Sequence, residues 1–258
     1  MSALFADVAG TGPAVVLMHG WAMHGGVFAG LAKRLAHRHT VYRVDLPGHG
    51  HSRDSGVPLI LPEMVQAVRA VVPPQACWIG WSLGGLVALQ AAATQPGAVR
   101  HLTMLCASPR FVRAPDWMHG VSPEVFEGFA AGLRDDPAGT LDRFIALEAV
   151  GSPHVRDDIR LLRQAVAERG HPSAQVLAEG LQLLKTADLR PMLAELSMPS
   201  LWLAGRRDRL VHPQAMAQAA ASAPQATHAV IAGAGHAPFL THVDAVLDAL
   251  STAWAQQP

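Results

Sequence analysis

Apolar positions gather in short runs, each closed by glycine or a polar residue, at residues 13–19, 40–45, 76–82 and 99–108. Short, mostly apolar runs of this kind suit buried strands of a parallel sheet. Between them, residues 27–36, 62–71 and 83–94 repeat apolar side chains at helical spacing. The alternation predicts an α/β fold: a mostly parallel, doubly wound sheet with helices on both faces.

The alternation stops after Ser108. Residues 110–187 read as helical throughout, punctuated by Pro115, Pro123, Pro137, Pro153 and Pro172. Strand-like runs resume at residues 200–204 and 227–231, and an amphipathic stretch covers residues 239–254. The pattern predicts a core of residues 1–109 and 188–258 with residues 110–187 inserted as a helical cap.

A chain of 258 residues, 50% hydrophobic, can bury one sizeable core. Its formal net charge is zero, so no global field recommends nucleic acid or an anionic membrane. Cys77 and Cys106 both sit in apolar runs, which reads as two core thiols rather than a disulfide framework. No secretory leader and no membrane-length apolar window is visible, so a cytoplasmic protein, monomeric and off the membrane, is expected.

Gly80-Trp81-Ser82-Leu83-Gly84 follows a strand-like run and opens a helical one, the context a nucleophile elbow requires. So sharp a turn puts the serine in strained backbone angles and leaves no room for side chains two positions either side. A glycine-rich loop that merely contains a serine would not need that setting. Ester hydrolysis also needs donors for a tetrahedral oxyanion. The N–H of Leu83, at a helix N-terminus, is one candidate. The N–H of Trp21, in the loop shaped by His19 and Gly20, is the other.

The hydroxyl needs a base, and the base an orienting acid, later in the chain. Of fourteen histidines, His236 follows the last strand-like run in a turn of small residues. Asp208 follows the run at 200–204, at the carboxyl end where such sites gather. An ordinary turn histidine and a capping aspartate are the bland readings of these two. Asp188, before the strand, is the weaker alternative acid. His49 and His51 form a His-x-His pair in a turn, without the Cys or acidic ligands a metal site would add, so no metal or other cofactor is expected. His37 and His39 flank a helix end, where histidine suits the dipole.

His19-Gly20-Trp21, Asp45-Leu46-Pro47-Gly48, Gly80 to Val87 and Gly235-His236-Ala237-Pro238-Phe239 resemble the α/β-hydrolase superfamily. Trp81 before the serine, with Arg143 to Leu147 and Leu184 to Arg190, makes nearly the whole chain similar to the family of pimeloyl-[acyl-carrier protein] methyl ester esterases of biotin synthesis. That family removes the methyl ester at the far end of a pimeloyl chain carried on acyl carrier protein. The resemblance implies that Trp21, Ser82, Leu83, Phe144, Ile145, Ala146, Leu147, Glu148 and His236 line the substrate site. Trp81 would add an apolar wall.

An acidic carrier favours a locally basic surface. Arg156, Arg160 and Arg163 recur at helical spacing, and Arg143 lies near in sequence, so Arg143, Arg156 and Arg160 are candidate docking residues. Residues 110–185 hold nine Lys and Arg against eleven Asp and Glu, so the cap as a whole is not basic. Gly139 stands where the family pattern leads one to look for another arginine. The expected activity is a serine carboxylesterase acting on the carrier-borne methyl ester. The rivals are a general short-chain carboxylesterase, a perhydrolase or a carbon–carbon bond hydrolase with the same triad. A receptor that reuses the fold without catalysis is disfavoured by the complete set of candidate groups.

Overall fold

The computed structural model describes residues 3–152 and 154–255. Seven strands form one sheet in the order β1-β3-β2-β4-β5-β6-β7. They are β1 (Ala6–Ala9), β2 (Ala14–Met18), β3 (Thr40–Val44), β4 (Ala76–Trp81), β5 (Val99–Leu105), β6 (Ser200–Gly205) and β7 (Ala226–Ile231). All neighbours are parallel except β1, which runs antiparallel along β3. The mostly parallel sheet expected from the apolar runs is therefore present. The edge strand β1 was not legible: it is four residues long, half-buried to exposed, and too short to show a period.

The chain passes from β2 outward to β3 through α1 (Ala29–Leu35), then reverses through α2 (Leu61–Arg69) to β4. Right-handed crossovers of opposite direction put α1 and α2 on opposite faces. On one face α1 packs with the closing helix α10 (Val243–Ala255), and on the other α2 packs with α3 (Leu83–Thr94). α3 is buried along nearly its whole length. The strand order reverses between β2 and β4, which leaves a crevice at their carboxyl ends.

Between β5 and β6 lie α4 (Pro123–Asp135), α5 (Pro137–Ala149), α6 (Val155–Arg169) and α7 (Ala174–Thr186). Pro123 and Pro137 open their helices at the position where a missing N–H costs nothing. Pro172 precedes the Ser173 cap of α7, and Pro153 lies outside the described residues. The expectation of helix from residue 110 onward fails at its start. Residues 110–122 form an irregular strap with bridges Val112 to Val121 and Ala114 to Trp117. β-branched valines and two turn-forming residues, Pro115 and Gly120, explain why no helix forms there. The remaining helices are α8 (Pro213–Ala221) and α9 (Pro238–Thr241).

Polar contacts fasten α6 to the core. Arg169, at its C-terminal end, donates through Nη1 to both carboxylate oxygens of Asp45, at 2.9 and 3.0 Å. Asp45 also accepts the N–H groups of Gly25 and His51. His24 Nε2–H donates to the Ala165 carbonyl, while its Nδ1 accepts the Gly26 N–H. Burial keeps His24 below its ordinary pKa, consistent with that neutral form. Both cysteines are buried and free. No helix among the described residues is long and apolar enough to cross a membrane.

Candidate active site

β4 ends at Trp81 and α3 begins at Leu83, so Ser82 is the whole turn between them. Its backbone sits at φ 53° and ψ −118°, a region L-residues rarely occupy. Such angles cost about 1–3 kcal/mol and persist because the surroundings enforce them. The Ser82 N–H is held by the Leu105 carbonyl at 3.2 Å, and its own carbonyl accepts from Gly85 at 2.9 Å. A Cβ at Gly80 would collide with the Gly84 carbonyl, and one at Gly84 with the Met18 carbonyl. Strand, elbow and helix approach closely enough to require both glycines.

Register brings the other groups level with Ser82. Met18 pairs with Gly80 across β2 and β4, so the loop after β2 emerges beside the elbow. A Cβ on Gly20 would stand 3.2 Å from Ser82 Cβ. His19 shapes that loop: its Nδ1–H donates to the Gly20 carbonyl and its Nε2 accepts the Leu46 N–H. Burial, with His49 nearby, holds His19 well below its usual pKa, so it stays neutral in this role. The Trp21 indole is fully buried, donates to the Leu177 carbonyl of α7 at 2.9 Å and meets Phe144 edge to face at 4.6 Å. The loop that carries the Trp21 N–H is thus bonded to α7.

Gly205 and Ile231 pair at the ends of β6 and β7, which sets the loops holding Asp208 and His236 side by side. His236 Nδ1 lies 2.8 Å from Asp208 Oδ2, with both side chains buried. The other Asp208 oxygen accepts the N–H groups of Leu210 and Val211. A carboxylate so anchored can only accept from the ring, which places the imidazole proton on Nδ1 and leaves Nε2 a lone pair. Nε2 is buried and has no hydrogen-bond partner among the described residues. Trp81 Nε1 donates to the His236 carbonyl at 2.8 Å and its ring packs on Phe28 and Phe239.

Cys106, at the end of β5 with φ 44°, completes a buried cluster. Its sulfur and one ligand atom each of Asp208 and His236 lie within 4.8 Å of one another. Burial, reinforced by Asp208, drives the thiol pKa well up and keeps it protonated. Asp188, the alternative acid, is committed elsewhere: it pairs with Arg190 at 2.7 Å and Arg110 at 2.6 Å, and their hydrogen bonds, Arg190's first, lower its pKa to about 2. His49 is buried, with burial lowering its pKa to about 4, and His51 packs edge-on against Phe5. His39 Nδ1 reaches the Leu35 carbonyl at the end of α1.

At Ser82 lies a cavity of about 30 Å³ walled by Phe111, Phe126, Phe129, Phe144 and Leu184 together with Val121, Val125 and Leu210. Of the residues expected to line a substrate site, Ser82 and Phe144 border it. Trp81 faces the core below, and Ile145 faces a separate cavity between α5, α6 and α7. Trp21, Leu83, Ala146, Leu147, Glu148 and His236 do not border the cavity at Ser82. Glu148 is buried with neither carboxylate oxygen partnered among the described residues, and burial beside Asp208 raises its pKa well above normal. The strap residues Phe111 and Val121, and Phe126 and Phe129 of α4, were missed. The i, i+3 spacing of the last two was the only signal, and it says apolar face rather than site.

Arg143, Arg156 and Arg160 are exposed on α5 and α6. Arg143 donates to Thr140, Arg160 pairs with Asp157, and the neighbouring Arg163 pairs with Asp142. Acidic partners thus offset two of these four arginines.

The family model described as alpha/beta hydrolase fold matches residues 13–243. A pimeloyl-[acyl-carrier protein] methyl ester esterase from Stenotrophomonas maltophilia (strain K279a) is 57% identical over 244 residues, 95% of this chain and 93% of that one. One from Xanthomonas campestris pv. campestris (strain B100) is 56% identical over 244 residues, covering 95% and 96%. Among solved structures, a bromoperoxidase from Bacillus anthracis superposes with TM-score 0.89 at 20% identity, covering 98% of this chain and 95% of its own. An esterase from Exiguobacterium antarcticum does so with TM-score 0.86 at 18% identity, covering 96% and 94%. At such identities the structures speak for the fold alone, whereas the curated relatives match over more than nine-tenths of both chains. The chain belongs to the α/β-hydrolase fold family and, within it, to the family of pimeloyl-[acyl-carrier protein] methyl ester esterases.

Proposed function

We propose that this protein is a serine carboxylesterase that hydrolyses the methyl ester of a pimeloyl chain borne on acyl carrier protein, releasing methanol, in biotin synthesis. The observation that carries the chemistry is the unpartnered Nε2 of His236, a buried lone pair whose ring is locked by Asp208 through Nδ1. The substrate comes from the names of relatives that match at 53–57% identity.

His236 takes the proton of Ser82 as its oxygen attacks the ester carbonyl. The N–H groups of Leu83 and Trp21 bind the oxyanion, each worth about 3 kcal/mol of barrier. His236 then returns the proton to the departing methoxide. Water, deprotonated by the same imidazole, cleaves the acyl-serine and frees the acid. Asp208 holds the tautomer throughout. No step calls for a cofactor.

The phenylalanine walls suit a neutral methyl ester and penalise the free acid product, whose charge would be stranded among rings. A cavity of about 30 Å³ holds little more than water, so substrate binding requires α4 and the strap to move off Ser82. Residues 110–187 then act as a cap over a core of residues 1–109 and 188–258. Arg143, Arg156 and Arg160 offer the acidic carrier a docking face, weakened by Gly139 where a further arginine would strengthen it.

The test compares methanol release from the carrier-borne pimeloyl methyl ester with hydrolysis of free acyl esters of graded length. A marked preference for the carrier-borne ester is expected. Flat activity across the free esters with no carrier preference would reduce the protein to a general carboxylesterase.

A further inference from the structure

Beside the Ser82 cavity lies a second hollow of about 320 Å³, between the strap and the loop that follows Asp208. The two share Val121, Val125 and Leu210, which form the partition between them. The far hollow differs in chemistry from the near one: Arg113, His119, Arg209 and His212 stand in its wall, together with one acid, the buried Asp208. His119 and His212 stack on one another, ring centroids 5.3 Å apart and planes 17° from parallel. Neither Arg113 nor Arg209 takes part in an ion pair among the described residues. The acids nearby are largely engaged. Asp208 serves His236 and two backbone N–H groups, Asp116 pairs with Arg190, and Glu124 takes a hydrogen bond from Ser122 within range of the Arg113 charge.

We propose that this hollow is an anion subsite for the far end of the acyl chain, which makes free mono-esters of straight-chain dicarboxylic acids a further substrate class. The ester sits at Ser82 and the carboxylate lies between Arg113 and Arg209. The proposal rests on the reading of Ser82 as nucleophile. The Ser82 oxygen bonds to the ester carbon, the bond to methoxide breaks, and methoxide leaves with the proton from His236. Water then supplies the second oxygen, so that the products are a dicarboxylate, methanol and a proton. A carboxylate left inside the phenylalanine cavity would lose its hydration without a partner. Chains long enough to pass Val121, Val125 and Leu210 deliver it to two guanidinium groups and two imidazoles instead. Chain length thus decides whether the second charge repels or recruits the substrate.

The experiment measures kcat/KM for the monomethyl esters from succinate to suberate and for the dimethyl esters of the same diacids. The expected ratio of half-ester to diester is far below one for succinate and climbs as the chain lengthens. For the long members it falls on adding salt, which screens the guanidinium groups without any mutation. In Arg113→Gln/Arg209→Gln, checked for native circular dichroism, that ratio drops about tenfold, the sum of two modest exposed ion pairs. A ratio that stays low at every length, or that ignores both salt and the double variant, overturns the subsite. If wild type cleaves the diesters normally in that case, the esterase reading stands alone. If it cleaves neither series nor the carrier-borne ester, both fall together.

Discussion

The indole N–H of Trp81 donates to the backbone carbonyl of His236 across 155 residues of sequence, at 2.8 Å. The residue before the nucleophile therefore fixes the loop that carries the base. The Trp81 ring lies 5.6 Å from the His236 ring and is locked in turn by Phe28 and Phe239. The sequence suggested a wall of the substrate channel for this tryptophan. The structure puts it beneath the site, where it holds rather than touches.

Replacing Trp81 by Phe keeps the ring and removes the donor, leaving a buried carbonyl unpaired. The expected result is a loss of about 1–3 kcal/mol of stability. kcat should fall about tenfold as the imidazole drifts, with little change in KM. Steady-state kinetics beside thermal melts read both.

The buried Arg169 to Asp45 pair ties α6 to the loop after β3. Removing one partner strands the other charge, so Arg169→Met should cost about 3 kcal/mol and lower Tm by roughly 10 °C. A melt within a degree or two of wild type would show that Gly25 and His51 satisfy Asp45 unaided.

Glu148 predicts an alkaline effect. Its folded pKa is raised, by burial first and Asp208 second. Above about pH 4.5 the unfolded chain gives up this proton while the native chain keeps it, so the native state loses ground as pH rises toward the folded pKa. Glu148→Gln has no proton to lose. Its Tm relative to wild type should climb from near zero at pH 4 to a clear gain at pH 8–9, read from melts across that range. An unchanged difference across the series would mean that Glu148 finds a partner for its charge.

The elbow was legible because its constraint is local: Gly80, Ser82 and Gly84 fall within five residues, and strand and helix announce themselves on either side. Asp208 and His236 were legible for a related reason, each following a recognisable strand. What could not be read were contacts between distant segments. Nothing near Trp21 announces that its indole caps the Leu177 carbonyl, and nothing near Asp45 announces Arg169, 124 residues on. The strap failed for the opposite reason: its bridges, Val112 to Val121 and Ala114 to Trp117, join residues close in sequence, and the apolar pattern of so short a segment does not separate such a turn from a helix. Of the phenylalanines over Ser82, Phe144 alone was expected at the site, by resemblance; Phe111, Phe126 and Phe129 read only as apolar positions until the fold brought strap, α4 and α5 together.

Labelling by a fluorophosphonate probe decides whether Ser82 forms the covalent intermediate with His236 as its base. Rapid, stoichiometric modification mapped to the Ser82 peptide is expected, absent in Ser82→Ala and strongly slowed in His236→Ala. Modification that persists in Ser82→Ala, or wild-type protein that takes no label, would contradict that chemistry.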